Sequence, residues 1–119
     1  MKMFCFDPEV GKSIDAFGSL GFTISKLVRL SNETDVKCAY LSPKGLIAYH
    51  QTTKDQLFAV VQGEGWVRGE SPETQRRISA GQAAFWEEGE WHESGTESGM
   101  IVILIEGENI DPTKTMPPV

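Results

Sequence analysis

The chain has only two histidines, His50 and His92, and they are its best instruments for chemistry. An imidazole titrates near neutrality, so in a pocket it can give or take a proton; its neutral nitrogen is also a donor to first-row metals. Each histidine ends a segment of the same design. GLIAYH (45–50) runs apolar and stops on His50, while AAFW (83–86) passes through the glycine-containing turn EEGE to reach His92. Gln56 and Thr52 follow the first histidine closely, offering an amide and a hydroxyl to position a substrate's hydroxyl or carbonyl group. Around the second stand Glu87, Glu88, Glu90, Glu93 and Glu97, with no lysine or arginine among them. Glu87, on the turn before His92, could bend inward and complete a ligand set; the plainer reading is a hydrated acidic rim. No Ser-His-Asp order, GxSxG elbow or reactive-cysteine signature is present. Gly63-Glu64-Gly65 leads into a strand rather than a helix, so it is not a phosphate loop.

The elements that must hold these residues read as strands. GLIAYH and QLFAVVQG are two apolar strands facing each other across the polar break QTTKD, and they should bring His50 and Gln56 to one mouth. If Gln56 faces inward, period two carries Phe58 and Val60 inward as an apolar floor. Trp91, beside His92, is the expected mouth aromatic. Upstream, MKMFCF reads as a short strand and SIDAFGSLGF as room for one helical turn. FTISKLVRL and VKCAYLS read as strands joined by the turn cluster SNETD, the second ending at Pro43-Lys44-Gly45. Downstream, WVRGE, TQRRIS and QAAFW are short strands between turns. GMIVILIEG is a continuous apolar run expected to be buried on both faces. The tail 107–119 has three prolines and no periodicity, so it should lie on the surface. Many short strands without a convincing amphipathic helix mean an all-β sandwich or barrel, in one domain spanning 1–119.

The spacing of the two histidine segments resembles the paired motifs of the cupin superfamily. The first motif is matched by Gly45, His50, Thr52, Gln56 and Gly63, the second by Gly81, Glu87, Gly89, His92 and Thr96. The departures are chemical. Thr52 stands at a usual histidine, Gln56 at a usual glutamate, Glu87 and Thr96 at the proline and asparagine positions, and the spacer after Gly45 is one residue short. The resemblance covers roughly residues 35–106. It implies a single double-stranded β-helix, or jelly-roll (cupin) barrel, whose wide end holds a ligand. It also implies a small-molecule pocket with a divalent transition metal (zinc, iron, manganese or nickel) on His50, His92 and Gln56, lined by Thr52, Phe58, Glu87 and Trp91. Two metal-free alternatives stay open: a metabolite-binding sensor or carrier, and an isomerase-type enzyme using a histidine as acid–base. Small single-barrel members of the superfamily are often homodimers, and the apolar surplus in GMIVILIEG and LFAVVQ suits a partner face.

Composition narrows the partners. The 119 residues carry a net charge of −6 with a pI near 4.9, so neither nucleic acid nor an anionic membrane would gain electrostatic energy from this surface. No apolar run could span a bilayer, and the N-terminus lacks a secretory pattern. Cys5 and Cys38 are too few for a disulfide framework, which fits two reduced thiols in a cytoplasmic protein.

Overall fold

The computed structural model describes Met1 and residues 3–119. Eight strands run in chain order: β1 (Lys12–Ser13), β2 (Leu20–Arg29), β3 (Asp35–Gln51), β4 (Asp55–Arg68), β5 (Arg76–Ser79), β6 (Ala83–Trp86), β7 (Trp91–Gly95) and β8 (Met100–Gly107). All their pairings are antiparallel. Single 3₁₀ turns at Pro8–Val10, Ala16–Gly18, Pro72–Thr74 and Pro112–Lys114 supply the remaining regular structure among the described residues.

β3 and β4 are long because each serves two layers. The first part of β3, up to Leu41, pairs with β2 on one side and β8 on the other. The first part of β4, up to Gly63, takes the free edge of β8 and accepts β6 on its far side. Their second halves turn into the other layer. There β3 from Leu46 pairs with β7, β7 pairs with β4 at Trp66–Arg68, and β4 pairs with β5. The all-β barrel expected from the strand-and-turn pattern is what forms.

Glycines make both bends possible. At Gly45 an added Cβ would lie 2.8 Å from the Ser42 carbonyl oxygen and 2.9 Å from that of Gly21. Gly63 has φ 83° and would drive a Cβ into the Gly99 carbonyl oxygen, so only glycine fits without strain. The expected breaks at Pro43-Lys44-Gly45 and Gly63-Glu64-Gly65 are therefore bends inside continuous strands. Ladder pairing resumes on a new partner at Leu46 in β3 and at Glu64 in β4, within one continuous strand each.

Three further expectations change. β3 and β4 do not pair with each other, so QTTKD is a corner between layers and not a hairpin turn. Residues 3–6 form no strand; the backbone there is held by side chains, with Tyr40 Oη donating to the Phe6 carbonyl at 2.9 Å and Ser25 Oγ to that of Asp7 at 3.1 Å. β8 is buried on one face only. Met100, Val102 and Leu104 enter the core while Ile101, Ile103 and Ile105 are half-buried on the other side, because a strand in a barrel wall always has an outer face.

The SNETD hairpin forms as expected, with Arg29 opposite Asp35. Cys38 is buried, Cys5 is exposed, and both are free. The tail follows the surface, its Met116, Pro117 and Val119 sharing an outer groove with Leu57 and Phe85. Phe22, Leu41, Phe58, Val60, Val102 and Leu104 form the middle of one continuous core. At about 1.5–3 kcal/mol for each large side chain, that core favours the barrel over any open arrangement of the same strands. Among the described residues no helix is long and apolar enough to cross a membrane.

Candidate functional site

The pairing of β3 with β7 sets His50 directly opposite His92. Strict alternation would not have brought both inside. Ile47 pairs with Ser94 and His50 with His92, so three steps along β3 match two along β7. That extra residue is a β-bulge, which re-aims the side chains after it. Ile47 and His50 consequently both face the interior, and both line a cavity of about 280 Å³.

The cavity floor is apolar, with Phe22, Phe58 and Leu104, and its polar groups gather at one end: His50, His92, Gln56, Thr52, Ser94 and Glu106. The two imidazoles meet edge to face, ring centroids 4.5 Å apart and planes at 81°, with 3.2 Å between their Nε2 atoms. His50 Nδ1 lies 2.7 Å from the Ala48 carbonyl oxygen. A carbonyl only accepts, so this nitrogen carries the His50 proton and leaves His50 Nε2 bare. For neutral rings the bond between them then requires the proton on His92 Nε2, donated to His50. His92 Nδ1, buried and without a hydrogen-bond partner, keeps only a lone pair there, which is less costly to orphan than an N–H.

His92 is 2% exposed, and its ring packs on Trp86 at 4.3 Å between centroids. Burial, and secondarily the charge on His50, pushes its pKa from the ordinary 6.5 down to about 3. His92 is thus neutral throughout the physiological range.

Gln56 is 8% exposed, faces the cavity, and its side-chain amide bonds to no described residue. It is a free donor and acceptor. The Thr52 hydroxyl, by contrast, is tied to the Lys54 carbonyl at 2.7 Å. Phe58 is the floor, as period two from Gln56 anticipated.

Two expected pocket residues lie elsewhere. Trp91 is 38% exposed and stacks outside on Tyr49 at 5.2 Å, because neighbours on a strand point to opposite faces and His92 takes the inner one. Glu87 is exposed on the turn after β6 and lines an outer groove with Asp55 and Ile110. The turn that holds it, closed by the Glu90 N–H to the Glu87 carbonyl at 3.0 Å, does not bend into the barrel.

Of the several lining residues that escaped the sequence reading, three bear on the site. Ser94 follows from period two after His92, and Glu106 from period two after Leu104; both could have been found by extending the strands. Phe17 had no such signal. It lies in the turn between β1 and β2 at φ 61°, ψ 15°, a left-handed conformation costing roughly 1–2 kcal/mol for a residue with a Cβ. Its ring stacks on His50 at 4.8 Å with planes 5° apart.

No protein-family model and no curated protein matches this sequence. Solved structures do match. An RmlC-like cupin from Shewanella frigidimarina is 20% identical, with a TM-score of 0.70 over 90% of this chain and 91% of that one. The chain has the cupin fold. A predicted oxalate decarboxylase from Thermotoga maritima (15% identical, TM-score 0.72, covering 87% and 98% of the two chains) has the same architecture. So does KdgF from Halomonas sp. (19%, 0.68, covering 86% and 93%). At these identities the likeness speaks for architecture alone.

The fold family raises the question of a metal, and the donor set answers it in two parts. Spacing suits one: with metal–nitrogen bonds of about 2.0–2.1 Å, two ligands at a right angle stand roughly 3 Å apart, close to the 3.2 Å seen. Donor number does not, and the outer shell suits His50, whose Nδ1 meets the Ala48 carbonyl, but not His92. No third His, Cys, Asp or Glu joins the imidazoles in a metal-holding group among the described residues, and Gln56 contributes a neutral oxygen. Ligation through His92 Nε2 would also force its proton onto Nδ1, a buried donor without an acceptor. That costs about 1–3 kcal/mol, where ligating histidines almost always give this N–H to a carbonyl or carboxylate. The donor set and the His92 outer shell fall short of an ordinary resident-metal site, although the imidazole spacing does not.

Proposed function

We propose that this cupin binds a small, uncharged and largely apolar molecule in its cup without a resident metal. One observation carries the reading: His50 and His92 stand within hydrogen-bond distance of each other, with the Ala48 carbonyl against His50 Nδ1, while the Gln56 amide in the same cavity hydrogen-bonds to no described residue. A ligand's apolar body would lie on Phe58, Phe22 and Leu104, and its hydroxyl or carbonyl would meet the Gln56 amide and the open edge of the imidazole pair. Among the described residues the lining contains no lysine or arginine, and its one carboxylate, Glu106, is paired with Lys37 at 3.4 Å. An anion would enter without a counter-charge, at a cost that a neutral ligand avoids. A cavity near 280 Å³ lies at the lower edge of ordinary ligand pockets, which points to a compact molecule. The imidazole pair could also move a proton on such a ligand, since one ring donates and the other accepts.

A second reading, a divalent transition metal on the two Nε2 atoms, is favoured by their 3.2 Å separation. The experiment that separates the two is elemental analysis of protein purified without a polyhistidine tag, alongside native mass spectrometry for a co-purifying molecule. Metal well below one equivalent, with thermal stability unchanged by chelator, is the expected result. One equivalent of metal, lost in a His50→Ala/His92→Ala double variant, overturns the proposal in favour of the metal.

A further inference from the structure

We infer that Phe17 is a gate: its ring closes the cup over His50, and the strap carrying it, Asp15–Gly18, swings to admit a ligand. Among the described residues the strap is hydrogen-bonded to the barrel at its two ends and nowhere between. Ile14 N–H donates to the Phe22 carbonyl at 2.8 Å, and Ser19 Oγ accepts from Ala48 N–H at 3.0 Å. The intervening residues hydrogen-bond only to one another and to Ser19, through Gly18 N–H to Asp15 and Ser19 N–H to Ala16, both 3.1 Å. Asp15 gives the turn no side-chain cap.

Two consecutive residues of the strap are left-handed, Phe17 at φ 61° and Gly18 at φ 83°. The glycine accepts this freely and the phenylalanine does not. A residue persists in such a conformation when its surroundings hold it there. Here the holding contact is the parallel stack on His50. The residue is nonetheless 69% exposed, so its ring is a cover and not part of the core. Space for movement exists, because nothing lies within 4 Å of where a Gly18 Cβ would be. Lifting the ring would relieve the backbone strain and uncover the one imidazole that is not fully buried. The closed strap is therefore balanced between a favourable stack and an unfavourable backbone, as a gate requires. A ligand that stacks on His50 better than Phe17 does would hold it open, so a flat apolar ring is the ligand shape this gate selects. That last step rests on the cup being a ligand site; the gate itself does not.

The test needs no ligand. Diethylpyrocarbonate acylates neutral imidazole, and with two histidines in the chain the modified residue is assigned by peptide mass. With chelator present, Phe17→Ala should speed modification of His50 at least several-fold, while Phe17→Tyr, which keeps the stack, should stay near wild type. His92 should remain slow in all three proteins. An unchanged His50 rate in Phe17→Ala overturns the gate. Acceleration at both histidines together, with a lowered melting temperature, also overturns it, since the ring would then be holding the barrel shut and not its mouth. A bound metal discovered separately would sink the proposed function and leave this result standing.

Discussion

Replacing His92 with leucine should flatten the acid side of the stability profile. His92 is held neutral by burial, its pKa moved from 6.5 to about 3 in the folded chain, whereas in the unfolded chain it titrates normally. Among the described residues the one titratable side chain that acts on it is His50, from the opposite strand. Above about pH 6.5 neither state binds the proton and His92 adds no pH dependence. Below that the unfolded chain binds a proton the folded chain refuses, so stability falls as pH falls, by about 1.4 kcal/mol per unit until the folded value is reached. Between about pH 7.5 and pH 4.5 the loss from this one group is about 2–3 kcal/mol. Urea titrations followed by tryptophan fluorescence, with chelator present, would read it as a midpoint shift of about 1–2 M. Carboxylates titrate in the same range, so the quantity to compare is wild type minus His92→Leu. If the two proteins lose stability in parallel, the ring is not buried neutral, and the hydrogen-bond assignment of the imidazole pair fails with it.

Two further outcomes follow from the site and the barrel. Gln56→Glu puts a carboxylate at an 8%-exposed position opposite Glu106 on β8; it should cost about 1–3 kcal/mol at neutral pH, measured by urea unfolding. Added zinc should restore melting temperature in this variant and leave wild type unmoved, because only the variant offers a charged third ligand. Gly63→Ala combines a left-handed backbone with a collision at the Gly99 carbonyl, and should lower stability by at least about 2 kcal/mol in the same assay.

Much of the barrel could be read from the chain because strands alternate and turns demand particular residues. The SNETD hairpin, the inward face of β4 from Gln56 to Val60, and the glycines at 45 and 63 all follow from local rules. Pairing does not. Nothing in KGLIAYHQTTKDQLF says that the strands on either side of the break belong to different layers, since that choice depends on β7 and β8 arriving later to fill the edges. The bulge between Ile47 and His50 is equally hidden. Counting by twos from Ile47 sends Tyr49 inward and His50 out, so the convergence of the histidines follows from the motif resemblance and not from periodicity. The same counting, applied to β7, would have removed Trp91 from the pocket in advance. Phe17 was invisible for another reason: its role comes from a single φ angle and a stack across the barrel mouth, neither of which leaves a pattern in composition.

On the proposed function, what the cup would select follows from which polar atoms are already engaged. His50 and His92 satisfy each other, and Thr52 is spent on its own turn. A ligand that only competes for those bonds gains little, because each new bond replaces an existing one. Gln56 is different. The residue is largely buried and its amide is bonded to no described residue, so a ligand group that reaches it makes bonds without breaking any inside the protein. Where the cupin resemblance expects a glutamate, a negative charge would bind cations and repel anions. The amide does neither, and it presents a donor and an acceptor on one plane. A ligand with a carbonyl next to an N–H or O–H answers both at once, and an amine or a carboxylate answers only half. On that reading, the glutamine that weakens the case for a metal would supply the polar contact in its place.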